Sequence, residues 1–155
     1  LEALGRYMEA LDAYEQAIQH DPHHASYHYN KGVMLDDLHY YEEALAAFNQ
    51  AIQLDSSFAD AYNCKGLTLE ALGHYEEALG HYEEALLLAP DVANYHYNKG
   101  IALGTLQKYE EAVAAFDQAI RLEPFYADAY YSKVKALQYL GRLPDEHHSI
   151  SRTEK

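Results

Sequence analysis

The residues able to carry chemistry in this sequence fall into a few groups. Acids stand in pairs at Glu42-Glu43, Glu76-Glu77, Glu83-Glu84 and Glu110-Glu111. Paired carboxylates suit acid–base work, but these recur at a fixed interval, at helix starts and on solvated faces, which marks them as structural. His20, His23, His24 and His28 crowd one turn, and His147-His148 sit near the C-terminus. Zinc needs about four well-placed Cys or His ligands. His24 and His28 share a helix face only if that helix begins early. No metal site is therefore expected, beyond adventitious ions from buffer. Cys64, the single cysteine, has no His/Asp arrangement in the sequence to activate it. One cysteine also excludes an internal disulfide framework. No G-x-S-x-G, P-loop or dinucleotide fingerprint occurs. The expectation is a non-enzyme with no cofactor.

The elements that hold these residues are legible in Tyr95–Pro124, which reads as two short amphipathic helices and a tight turn. Tyr95, Ile101, Ala102, Leu103 and Leu106 give the first helix an apolar face. Ala112, Val113, Phe116, Ala119, Ile120 and Leu122 do so in the second. Glu110 and Glu111 suit the positive end of the second helix dipole, and Pro124 ends the unit. The same pattern returns without a gap at Tyr27–Ser56 and, 34 positions on, at Ala61–Pro90. Small residues recur at Gly32, Gly66 and Gly100, and leucines at Leu35, Leu69, Leu103 and Leu137. Alanines recur at Ala44, Ala78 and Ala112, and an aromatic at Tyr14, Phe48, Tyr82 and Phe116. Proline closes units at Pro22, Pro90 and Pro124, with Ser56 the exception.

Period and columns together resemble the tetratricopeptide repeat (TPR) family, in register from Leu1 to about Gly141. Two departures are visible. The family's first-helix Trp column holds His28, Tyr62, His96 and Tyr130, with His28 and His96 expected to be partly buried. The Leu before the small residue is Lys31, Lys65, Lys99 and Lys133. The resemblance implies an all-α, right-handed superhelical solenoid of antiparallel helix-turn-helix repeats. Residues 1–24 form a partial first repeat, 25–58, 59–92 and 93–126 full repeats, and 127–141 a capping helix. Together they make one array over 1–141, and 142–155 is a polar tail expected to fray.

First helices are expected at Ser26–Leu38, Asp60–Leu72, Asn94–Leu106 and Asp128–Leu140, with Ser26, Asp60, Asn94 and Asp128 capping their starts. Second helices are expected at Glu42–Leu54, Glu76–Leu88 and Glu110–Leu122. Leu1–Gly5 falls late in a first helix, followed by a second from about Met8 to His20. With no initiator Met and no N-terminal cap, the chain reads as a segment of a longer protein or a trimmed one. The open N-terminal end, with Leu11, Tyr14 and Ile18, is a candidate surface for self-association. The second and fourth units resemble each other more than either resembles the third, which gives a 68-residue super-period.

In the family, first helices line a concave groove that receives an extended peptide or partner helix. By that resemblance the groove residues here are Tyr29, Asn30, Asp37, Asn63, Leu67, Glu70, Tyr97, Asn98, Ile101, Tyr131 and Lys135. Asn30 and Asn98 are favoured, because an amide pairs with both a peptide N–H and a C=O. The Lys/Arg clamp of chaperone-tail binders is absent: its basic columns hold Ser26, Tyr29, Asp60, Asn63 and Cys64. A neutral or basic segment is thus expected as ligand rather than an acidic one. The net charge of −14 argues against nucleic acid and against an anionic membrane surface. No stretch approaches the ~18 apolar residues of a membrane span, and no signal peptide opens the chain, so a cytoplasmic setting is expected. The function implied is an adaptor or scaffold. The alternatives are the regulatory or substrate-recruiting segment of a larger enzyme, and a self-associating structural spacer.

Overall fold

The computed structural model describes residues 2–141, with side chains from residue 5 onward. The tail expected to fray lies outside the described residues. All described elements are α-helices: α1 (Glu2–His20), α2 (Ala25–Asp37), α3 (Tyr41–Leu54), α4 (Ala59–Ala71), α5 (Tyr75–Leu88), α6 (Ala93–Thr105), α7 (Tyr109–Leu122) and α8 (Ala127–Tyr139). Two compact units divide the chain, Leu1–Pro90 and Asp91–Lys155. In the first, α1 packs on α2, α2 on α3, α3 on α4 and α4 on α5, while α2 also touches α4. In the second, α6 packs on α7, α7 on α8, and α6 touches α8.

Helix pairing rests on alanine and glycine. Ala44, Ala51, Ala78, Ala85, Ala112 and Ala119 are wholly buried, and their small side chains let paired helices approach closely. The glycine column goes further. A Cβ built on Gly32, Gly66 or Gly100 would lie 2.7, 2.6 or 2.5 Å from Cε1 of Phe48, Tyr82 or Phe116 respectively. Each ring thus lies flat on the backbone of the preceding helix, a position only glycine leaves open.

Each turn inside a pair is a Schellman cap. Tyr40 N donates to Leu35 O at 2.8 Å and His39 N to Asp36 O at 2.8 Å. His74 to Leu69 with Gly73 to Glu70, and Lys108 to Leu103 with Gln107 to Gly104, repeat the pattern. The motif needs one left-handed residue, supplied by His39 (φ 64°), Gly73 (φ 81°) and Gln107 (φ 61°). A side chain there costs about 1 kcal/mol relative to glycine. Gln107→Gly is therefore expected to stabilise the chain by about 0.5 kcal/mol, after the entropy glycine adds to the unfolded state. A higher urea midpoint at unchanged m would show it, and a lower midpoint would contradict it.

Several expectations need correction. The first helices begin one residue early, and their N-caps are His24, Phe58, Val92 and Tyr126, none with a side-chain capping bond. Ser26, Asp60, Asn94 and Asp128 stand two residues inside, where they do not cap. At the N-terminus the expected turn after Gly5 is absent, and α1 runs unbroken from Glu2 to His20. Gly5 holds no left-handed angle, unlike Gly73 in the same column. Tyr7 and Met8 on α1 are exposed. Where Ser56 replaces the closing proline, Asp55 Oδ1 accepts from Ser57 N (3.0 Å) and Ser57 Oγ (2.6 Å). These bonds hold the Asp55 carboxyl below its usual pKa.

Candidate functional site

In the first unit the expected binding wall is built from α2 and α4. The Tyr29 ring is tilted against Phe48 (centroids 6.0 Å apart) and Phe58 (4.8 Å). Its hydroxyl lies 3.6 Å from Cys64 Sγ. Burial pushes the Cys64 thiol up, which disfavours the reactive thiolate. Fully buried Thr68 ties the two helices together: its Oγ1 donates to Asp36 Oδ1 at 2.6 Å and lies 3.0 Å from Cys64 O. Glu70 on α4 is pushed up to about 7 by burial beside the Tyr82 phenol. Its Oε1 and the Tyr82 hydroxyl are both buried without an aligned hydrogen bond. Of the expected groove residues here, Asp37 and Leu67 are exposed, Tyr29 and Asn30 are half-buried, and Asn63 is only 6% exposed.

The second unit repeats the aromatic frame 68 residues later. Tyr97 is tilted against Phe116 (5.9 Å) and Tyr126 (5.0 Å), as Tyr29 is against Phe48 and Phe58. Asn98 is 7% exposed, and its Nδ2 donates to Asn94 Oδ1 at 3.0 Å. Asn94 Nδ2 donates in turn to the Tyr126 hydroxyl at 3.2 Å. Most of the Asn98 amide is therefore turned into the helix packing. Beside it a cleft of about 320 Å³ opens between α6 and α8, with Tyr97, Ile101, Gly104, Tyr131, Lys135 and Ala136 in its lining. Lys135 Nζ sits 5.2 Å from the Tyr131 ring centroid. At the rim Tyr109 and Tyr139 stack at 4.9 Å and 9°. Four expected groove residues, Tyr97, Ile101, Tyr131 and Lys135, thus converge on one opening.

Sequence reasoning missed other features. A second cleft of about 390 Å³ in the first unit is lined by Glu15, His28, Lys31, Leu35, Glu43 and Gln50, among others. Lys31 crosses it to Glu15 at 3.0 Å. Lys133 pairs with Asp117 at 2.5 Å in the same way. Lys31 and Lys133 thus each bridge back to the preceding helix pair, with an acid sixteen positions earlier as the sequence signal. The crowded histidines separate: His24 stacks on Tyr27 at 4.1 Å, and His28 Nε2 lies 3.0 Å from Pro22 O. Among the described residues no group of three or more His, Cys, Asp or Glu is placed to hold a metal ion. No helix among them is long and apolar enough to cross a membrane.

Paired helices around an aromatic–glycine contact, repeated at 34 residues, define a helical-repeat protein. Tetratricopeptide repeat models match residues 1–58, 65–127 and 97–146, and a second such model matches 47–80. The chain belongs to the tetratricopeptide repeat family. No curated protein sequence matches it. Among solved structures it is similar to MamA, with a TM-score of 0.84, 21% identity, and 91% of this chain and 82% of that one covered. YrrB, described as a TPR protein with an unusual peptide-binding site, gives a TM-score of 0.75 at 23% identity over 92% and 73%. The first TPR of Spaghetti (RPAP3), bound to the HSP90 peptide SRMEEVD, gives 0.75 at 22% over 76% and 94%. At these identities the likeness shows the fold.

Proposed function

We propose that this chain is a protein-interaction module whose α6/α8 wall binds an extended peptide segment. The observation that carries the reading is the convergence of Tyr97, Ile101, Tyr131 and Lys135 on one cleft. Support comes from the family, in which two structural neighbours are described as peptide-bound or peptide-binding. Aromatic faces with polar tips provide broad contact at low entropic cost. The ligand is neutral or basic. The chain carries −14, and the columns that hold basic clamp residues in acidic-tail binders are Ser26, Tyr29, Asp60, Asn63 and Cys64.

Selection from a random peptide library, followed by calorimetry, tests this. Neutral or basic sequences are expected to emerge, and SRMEEVD is expected to bind more weakly than any of them at equal salt. Tyr131 is 64% exposed, so Tyr131→Ala leaves the fold intact and weakens the selected peptide about fivefold, a typical interface aromatic. Equal binding by parent and variant, or preference for SRMEEVD, would count against the reading.

A further inference from the structure

The super-period contains one substitution pair with a spatial consequence. In the first unit, Asp36 on α2 and Thr68 on α4 close the space between their helices with a 2.6 Å hydrogen bond. Sixty-eight residues on, the same two positions are Gly104 on α6 and Ala136 on α8. Carboxylate and hydroxyl are both gone. A Cβ added at Gly104 would meet nothing within 4 Å, and the cleft of about 320 Å³ lies there, with Gly104 and Ala136 in its wall. Two further exchanges ring it with aromatics: Tyr131 stands where the first unit has Asn63, and Tyr139 where it has Ala71.

We infer that this gap is a socket for one uncharged aromatic side chain of the docked peptide. The inference rests on the peptide-binding reading above and specifies its ligand. Size comes first: the volume sits at the lower end of ligand clefts, which run from about 300 to 1,000 Å³. It holds one large side chain rather than a cofactor. Charge then selects among side chains. Among the described residues the lining contains one cation, Lys135, and no carboxylate. A Lys or Arg side chain would meet Lys135 with no acid to offset it. An Asp or Glu would lose its hydration against Tyr97, Ile101 and Phe116. A planar neutral ring stacks on the tyrosines and leaves Lys135 free to meet a peptide carbonyl at the rim.

The test titrates N-acetyl-tryptophan amide, N-acetyl-lysine amide and N-acetyl-aspartate amide into the 15N-labelled chain. The expected result is that the tryptophan probe alone shifts the Gly104, Ser132 and Lys135 amides. Gly104→Asp with Ala136→Thr rebuilds the plug seen between α2 and α4, and is expected to weaken those shifts at least tenfold with helicity unchanged. Should that pair perturb folding, Gly104→Leu fills the same open space and is expected to give the same loss. Shifts that survive in the plugged variants, or a stronger response to the lysine or aspartate probe, would overturn the socket. A library-selected peptide separates this from the peptide-binding reading. If parent and plugged chains bind it equally, the socket falls and the groove stands. If no peptide binds but the tryptophan probe still shifts Gly104, the groove falls and the socket stands.

Discussion

Gly100→Val is expected to destabilise the second unit by about 3 kcal/mol, the upper range for forcing methyl groups into a packed site. Its Cβ would sit 2.5 Å from Cε1, 2.8 Å from Cδ1 and 3.0 Å from Cζ of Phe116. Phe116 is 2% exposed and its ring lies against Tyr97 with centroids 5.9 Å apart, so relieving the overlap means displacing packed rings. Four residues along the same helix, Gly104 has open space at the same test. Gly104→Ala is therefore expected to move the other way, gaining about 0.5 kcal/mol from helix propensity. Urea unfolding of both variants measures the contrast. Phe116→Leu on the Gly100→Val background should recover part of the loss, since only a shared contact couples the two sites. Additive costs would show that the ring does not rest on Gly100.

Glu70→Gln is expected to stabilise the chain by about 1–2 kcal/mol at pH 8 and to change little at pH 4. Burial raises the Glu70 carboxyl from 4.5 to about 7. Between those values the folded chain keeps a proton that the unfolded chain has released, so stability falls as pH rises through that window. The full shift corresponds to about 3 kcal/mol, and partial exposure of the carboxyl to water reduces this. Subtracting the Glu70→Gln curve from the parent's isolates this group from the many surface acids. A parent-minus-variant difference independent of pH between 4 and 8 would refute the assignment. Tyr82 belongs to the same locus: its hydroxyl is buried without an aligned partner, and Phe48 and Phe116 occupy its column in the neighbouring pairs. Tyr82→Phe is accordingly expected to cost almost nothing.

Helix positions were legible because each repeat column has a packing role that the residue type states outright. Gly66 can only mean a close approach, and Ala78 a tight helix crossing. Helix starts were less legible. Ser26 and Asp60 look like caps, but the repeat frame places the first turn by tertiary packing, and His24 and Phe58 take the capping positions without a side-chain bond. The cleft proposed as the binding wall was legible where side chains are large. Tyr97, Ile101, Tyr131 and Lys135 project far enough to define an opening. Asn98 is 7% exposed, and its amide donates to Asn94 within the helix packing. The gap at Gly104 and Ala136 escaped notice because it is defined by atoms that are missing. Only the Asp36–Thr68 bond one super-period earlier shows what those positions otherwise hold.

Amide chemical-shift mapping of a library-selected peptide on the 15N-labelled chain tests the proposed binding wall most directly. The expected result is a contiguous set of shifts on α6 and α8 centred on Tyr97, Ile101, Tyr131 and Lys135. Shifts confined to the exposed side of α7, around Glu111, Asp117 and Gln118, would contradict it and move recognition to the opposite helix of the pair.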